Sequence, residues 1–154
     1  MTEGINLCIR PADIRDAQAI AACVADAYRH YIARIGRLPR PMLEDYTEVI
    51  ERRQVSVADL KGEIVGVLVL AITDEGFLLD NIAVHPSSQG KGIGKALLEF
   101  AESEAQRLGH RSIYLYTNEK MTENQSLYAK IGYVEYDRRS ENRYGRVYMR
   151  KRLT

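Results

Sequence analysis

Cysteine is scarce in this chain: Cys8 and Cys23 are the only two in 154 residues. Their separation fits no metal-ligand spacing. The reading is two small buried thiols in a reducing cytosol, and no metal site is expected. Long apolar runs are also missing, since none approaches the ~18 residues that cross a bilayer. Met1-Thr2-Glu3-Gly4 lacks a basic segment followed by an apolar one, so no secretory leader is expected and the expected location is cytoplasmic. Charge of one sign is missing as well: 22 Lys and Arg stand against 21 Asp and Glu, for a net +1. That balance argues against a dedicated nucleic-acid binder, and neither nucleic acid nor membrane is an expected partner. No internal repeat or low-complexity tract is visible. What remains is 45% hydrophobic and 28% charged, as a soluble globular protein should be. Residues 1–154 are read as one domain with one sizeable core.

Residues 5–10 alternate apolar and polar and predict a first strand, ended by Pro11. Asp13 is placed to cap a helix with Ile14, Ala17, Ile20, Ala21 and Val24 on one face. That helix runs on toward Tyr31. Gly36, Pro39 and Pro41 make residues 32–41 a loop. Residues 42–52 show helical spacing through Leu43, Tyr46, Val49 and Ile50. Residues 55–60 and 64–73 read as a hairpin across Lys61-Gly62-Glu63, and 77–84 as the next strand. The following helix has Ile93, Ala96, Leu97, Phe100, Ala101, Ala105 and Leu108 on one face, and Gly109 ends it. Residues 112–117 form a strand. Thr122 caps a short helix to Lys130, stopped by Gly132. Residues 133–139 and 144–150 close the chain as a strand pair around Glu141-Asn142. The order βααβββαβαββ is mixed α/β.

The most informative stretch is Gln89-Gly90-Lys91-Gly92-Ile93-Gly94, a glycine-rich turn between a strand and a long helix. A helix N-terminus presents unpaired N–H groups and partial positive charge. Glycines let a ligand approach that backbone closely, and together they make a phosphate cradle. A dinucleotide fingerprint would need glycine where Lys95 stands and an acidic residue within 109–116; neither is present. A P-loop would need Ser or Thr after Gly94-Lys95, where Ala96 stands. A small nucleotide-phosphate binder is therefore remote. What fits is Gln-x-x-Gly-x-Gly, with Gln89, Gly92 and Gly94 in place.

That loop, after a strand ending Val84-His85-Pro86, resembles the acetyl-CoA pyrophosphate loop of the GNAT acetyltransferase superfamily. A second motif agrees: Leu127-Tyr128, Lys130, Gly132 and Tyr133 resemble the family's late helix. The element order is also the one the family implies, the GNAT fold with a mixed seven-stranded sheet flanked by helices. So the resemblance spans essentially the whole chain.

It implies an acetyl-CoA-dependent N-acetyltransferase that passes an acetyl group directly to an amine in a ternary complex, with CoA as product. The oxyanion needs a preorganised N–H, and the resemblance assigns this to Val84, with the Ile82 backbone pairing the pantetheine arm. The departing thiolate needs a proton. A thiol titrates near about 8.5 and a phenol near about 10, so Tyr128 is protonated at neutral pH and can donate. The implied cofactor set is Ile82, Ala83, Val84, Gln89, Gly90, Lys91, Gly92, Ile93, Gly94, Lys95, Asn118, Asn124 and Tyr128. Lys91 and Lys95 would pair with phosphates. The first inter-helix loop, with Arg29, Arg34, Arg37 and Arg40, borders the acceptor cleft in this fold, and an acidic acceptor is one reading of that cluster. Asp45, Tyr46 and Asp80 are candidate acceptor contacts.

The chain also departs from the family. Two positions where members carry a Glu base are Tyr116 and Asn81 here, and an asparagine that touches pantetheine is Met121. The base is unassigned; Asp80, Glu119 and Glu123 are candidates, and His85 reads as structural. An alkyl ammonium near about 10.4 is only roughly one part in 2,500 neutral at pH 7, so a base would matter. The missing Glu positions keep an alternative open, a non-catalytic acyl-CoA-binding or interaction module of the same fold. The acceptor is a small-molecule or peptide amine, and homodimers are common in the family.

Overall fold

The computed structural model describes residues 7–153. The elements in chain order are β1 (Leu7–Pro11), α1 (Ala17–Tyr28), α2 (Ile32–Ile35), α3 (Tyr46–Arg52), β2 (Gln54–Leu60), β3 (Glu63–Thr73) and β4 (Gly76–Val84). They continue with α4 (Ile93–Arg107), β5 (Ser112–Asn118), α5 (Thr122–Lys130), β6 (Val134–Glu141) and β7 (Tyr144–Arg152). The seven strands form one sheet in the order β1-β2-β3-β4-β5-β7-β6. Only β4 and β5 are parallel neighbours; the other pairs are antiparallel. The expected order holds, with the one-turn α2 added inside the expected loop. Residues 5 and 6 of the expected first strand lie outside the described residues.

Two apolar layers hold helices on both sheet faces. On one face, Ile20, Cys23, Val24 and Ala27 of α1 and Tyr46 and Val49 of α3 pack on Val55, Val57, Val67, Val69 and Ala83. On the other, Ile93, Leu97, Ala101 and Ala105 of α4 pack with Leu68, Leu70, Leu79, Ile113, Leu115 and Tyr128. Those α4 residues recur every four positions, as one buried stripe requires. Each large side chain buried this way is worth about 1.5–3 kcal/mol. Gly66 of β3 is forced by this packing. A Cβ there would meet Ala58 Cβ and Leu97 Cδ1 at 3.0 Å and Ile93 Cγ2 at 3.2 Å, so its absence lets the first turns of α4 settle on the sheet.

Several local expectations are corrected. Asp13 caps a 3-10 turn, Ile14–Asp16, rather than α1 itself. Ile14 and Ala21 are exposed, and Cys23 and Ala27 take their place on the buried face. The helix expected from residue 42 begins at Tyr46, because Pro39 and Pro41 hold the preceding segment in a 3-10 turn and leave Leu43 exposed. Met121, not Thr122, occupies the cap of α5, and Leu108 lies past the end of α4 in solvent. Cys23 is buried, but Cys8 is exposed. Burial pushes the Cys23 thiol up to about 11. The last hairpin turns on Asn142 and Arg143, both at positive φ (50° and 69°), the twist a two-residue hairpin needs.

A bulge divides β4. Val69 faces Asn81 while Leu70 faces Leu79, which leaves Asp80 as the extra residue. Pairing with β5 stops at the same place, at Leu79 opposite Leu115. Bulges bend a strand and terminate pairing, and beyond this one β4 and β5 part.

Candidate active site

Beyond the bulge, β4 still pairs with β3 through Ile82, Ala83 and Val84. The His85 N–H donates to Val65 O at 2.8 Å, so the amide of Ala83, two residues back, also points toward β3. The polar backbone groups of Ile82 and Val84 therefore face the gap left by β5. Side chains already reach their carbonyls: the Tyr28 hydroxyl lies 3.2 Å from Ile82 O, and Gln89 Nε2 donates to Val84 O at 3.3 Å. An extended amide-bearing ligand arm can pair with such an edge as a strand would.

The glycine loop lies at the end of that edge. Gly90 and Gly92 sit at φ 82° and 81°, and a Cβ on either would meet nothing within 4 Å. Gly92 is the N-cap of α4, and among the described residues no side chain caps the free N–H groups of its first turn. The left-handed backbone and open space leave those donors reachable, as a pyrophosphate requires. Ile93 is buried and anchors the turn, while Lys91 and Lys95 are exposed beside it. Gly94 approaches the edge strand itself, because its missing Cβ would lie 3.7 Å from Val84 Cγ2. These residues fit the phosphates and arm of a CoA.

Tyr128 stands where two cavities meet. One runs along Ala83, Val84, Gln89, Gly94, Lys95, Asn124 and Leu127. The other, a smaller cavity of about 70 Å³, opens on the far side, along Asp80, Asn81, Tyr116, Asn118, Tyr144 and Arg146. Ile82, Met121, Asn124 and Tyr128 line both. The Tyr128 ring meets Tyr133 edge-on at 5.6 Å between centroids. Burial, with Tyr31 adding to it, pushes the Tyr128 phenol above the usual tyrosine range, which keeps it protonated.

The candidate bases separate cleanly. Glu123 is exposed and ion-paired with Arg34. Glu119 is exposed and folds over Gly145, 2.3 Å from where a Cβ would be. Among the described residues Asp80 is the one carboxylate lining the far cavity. Its Oδ1 accepts from Arg40 Nη2 at 3.2 Å and the Tyr116 hydroxyl at 3.1 Å, and its Oδ2 from Arg53 Nη1 at 2.5 Å. A carboxylate so held is an anchor. Asn81 is held too: its Oδ1 accepts from the Tyr28 hydroxyl at 2.8 Å and its Nδ2 donates to the Tyr46 hydroxyl at 3.2 Å. His85 bridges Asp26 and Ser87 at the rim, a structural arrangement.

Other expected acceptor contacts fall outside the cleft. Asp45 caps α3 through Thr47 N. The Tyr46 hydroxyl donates to Pro41 O at 2.6 Å in the interior. Asn118, expected at the cofactor, lines the far cavity instead, and its Oδ1 accepts from Lys120 N. The basic loop is already paired: Arg29 with Asp26, Arg34 with Glu123, Arg37 with Asn142 O at 2.9 Å and the Tyr144 ring at 4.0 Å, and Arg40 with Glu44 and Asp80. Sequence reasoning missed Tyr28, Tyr144 and Arg146. The last two were legible in β7, where Tyr144, Arg146 and Tyr148 alternate with Val147 and Met149, which face the α4 core.

A family profile described as acetyltransferase (GNAT) domain matches residues 51–135, more than half the chain. An uncharacterised N-acetyltransferase of Chlorobaculum tepidum is 29% identical over 134 residues, 86% of this chain and 79% of that protein. A PaiA N-acetyltransferase from Thermoplasma acidophilum, solved with coenzyme A, superposes with a TM-score of 0.79 at 20% identity, covering 96% of this chain and 99% of that one. An acetyltransferase from Salmonella typhimurium, solved with acetyl-CoA, gives 0.70 at 20% identity over 96% and 94%. At such identities the structural likeness carries the fold.

Proposed function

The chain belongs to the GNAT acetyltransferase family, whose members take acetyl-CoA and acetylate amines, and from that premise we propose how its residues carry out the transfer. The observation that carries the reading is the open β4 edge running from the glycine loop to Tyr128. Acetyl-CoA is the co-substrate. Gly90, Gly92 and the first amides of α4 receive its phosphates, with Lys91 and Lys95 adding charge at the rim. Ile82 and Val84 hold its amide arm, with Ala83, Gln89 and Asn124 along the wall. The Val84 N–H stabilises the oxyanion, and the Tyr128 hydroxyl protonates the departing sulfur. Burial that raises the phenol also disfavours a bare thiolate at the same place, so the proton transfer stays matched. The amine arrives from the far cavity.

Titration calorimetry tests this. The protein should bind acetyl-CoA, and Gly92→Glu, which puts a carboxylate and a strained backbone at the phosphates, should not. A folded protein that ignores acetyl-CoA would overturn the reading. Binding without CoA release over a broad amine panel would favour a non-catalytic module.

A further inference from the structure

Resting on that reading, we infer that the acceptor is a small amine bearing a carboxylate, and that Arg146 binds that carboxylate. The Arg146 side chain is only 10% exposed, lines the far cavity and lies over the Tyr116 ring at 4.5 Å. A guanidinium has five N–H donors in a planar fork. Its one ion-pair partner among the described residues is Glu141 at 3.4 Å, longer than a charge-assisted hydrogen bond. Glu141 is 45% exposed, and its other oxygen is taken by the Tyr148 hydroxyl. A buried charge is costly unless it is well paired, and a single 3.4 Å pair leaves room for a closer counter-charge on this guanidinium.

Among the described residues no second carboxylate is placed to pair with it. Arg40 and Arg146 line the cavity with Asp80 as the only carboxylate there among the described residues. Asp80 is already claimed by Arg40 and Arg53. Arg40 also pairs with Glu44, so the weakest-paired cation of the wall is Arg146, whose one counter-charge is the half-exposed Glu141 at 3.4 Å. A carboxylate matches that fork with two parallel bonds and one negative charge. A phosphate would bring a second negative charge, and among the described residues no lysine stands in this lining to answer it.

Size and polarity follow from the roof. The Tyr144 hydroxyl donates to Leu38 O at 2.7 Å and Arg37 to Asn142 O at 2.9 Å. These bonds tie the α2–α3 segment to the β6–β7 turn across the cavity. Ile35, Pro39, Pro41 and Met121 complete an apolar wall. The acceptor is therefore compact, with an apolar body between amine and carboxylate.

Matched acceptors test this: leucine, methionine and phenylalanine against their carboxamides, with kcat/KM normalised to the free-amine fraction. The acids should lead by roughly ten- to a hundredfold, the worth of a charged hydrogen bond. Arg146→Gln should bring the acids down to the level of the amides, chiefly through KM, and Arg146→Lys should restore part of the gap. Wild-type preference for amides, or an equal loss on both sets in Arg146→Gln, overturns the inference. The wild-type comparison decides even if a variant fails to fold. If acetyl-CoA binds and neither set reacts, the inference fails and cofactor binding stands. If acetyl-CoA does not bind, the acetyltransferase reading falls first.

Discussion

The Tyr116 hydroxyl donates to Asp80 Oδ1 at 3.1 Å across the point where β4 and β5 part. Tyr116 stands where the family resemblance implies a Glu base, and its phenol is pushed up to about 12 by burial and by the Asp80 charge. Neither partner is free to take a proton from an amine. The expected outcome is a kcat/KM that climbs with pH along the acceptor's own free-amine fraction. Two acceptors of different amine pKa should give profiles displaced by that difference. An inflection at one pH for both would reveal a base on the protein.

Asp80 is then chiefly a keystone. Asp80→Asn leaves Arg40 and Arg53 without their shared counter-charge, and breaking a buried pair this way costs about 3–5 kcal/mol. Arg53 reaches solvent, so a loss of about 3 kcal/mol is expected in urea melts. The shape of the pH–rate profile should not change.

Tyr128→Phe keeps the ring against Tyr133 and deletes the donor. It should lower kcat by about a hundredfold or more while acetyl-CoA affinity stays within a few-fold by calorimetry. Unchanged turnover would remove Tyr128 as the acid.

Gly66 is where the sheet meets α4. Gly66→Val would drive methyl groups into Ala58, Leu97 and Ile93, an overpacking worth about 1–3 kcal/mol. Because the same turn of α4 carries the phosphate loop, a lower Tm should come with weaker acetyl-CoA binding. A lower Tm with unaltered binding would uncouple the two.

Acid stability has a specific handle in Asp16. Hydrogen bonds from Arg10 hold its folded pKa below the unbound value of 3.8. Stability from this pair is complete above that value and is lost as pH falls through the lowered one. The Tm gap between wild type and Asp16→Asn should be widest above about pH 5 and close well below pH 3. A gap that widens on acidification would contradict the assignment.

Much of this was legible in the chain, for identifiable reasons. Gly90 and Gly92 were readable because a left-handed turn open to a ligand leaves little choice of residue. The α4 stripe was readable because its period is local. An acceptor patch was one reading of the arginine loop; the partners of Arg34 and Arg37, Glu123 and Asn142, come from the far end of the chain, and spacing cannot reveal them. Asp80 was invisible as a bulge, since one extra residue in a strand leaves no mark on an apolar pattern. Cys8 was taken as buried from residue type alone, and it lies on β1, at the sheet's edge.

That single bulged residue also bears on how such a chain can change over generations. Asn81 already faces Val69 and Leu79 already faces Leu70, so losing Asp80 would leave both halves of β4 in register with β3. The strand would straighten, and its far half would be free to zip onto β5. A three-base deletion could thus seal the slot while leaving a well-formed sheet, turning an enzyme into an inert scaffold in one step.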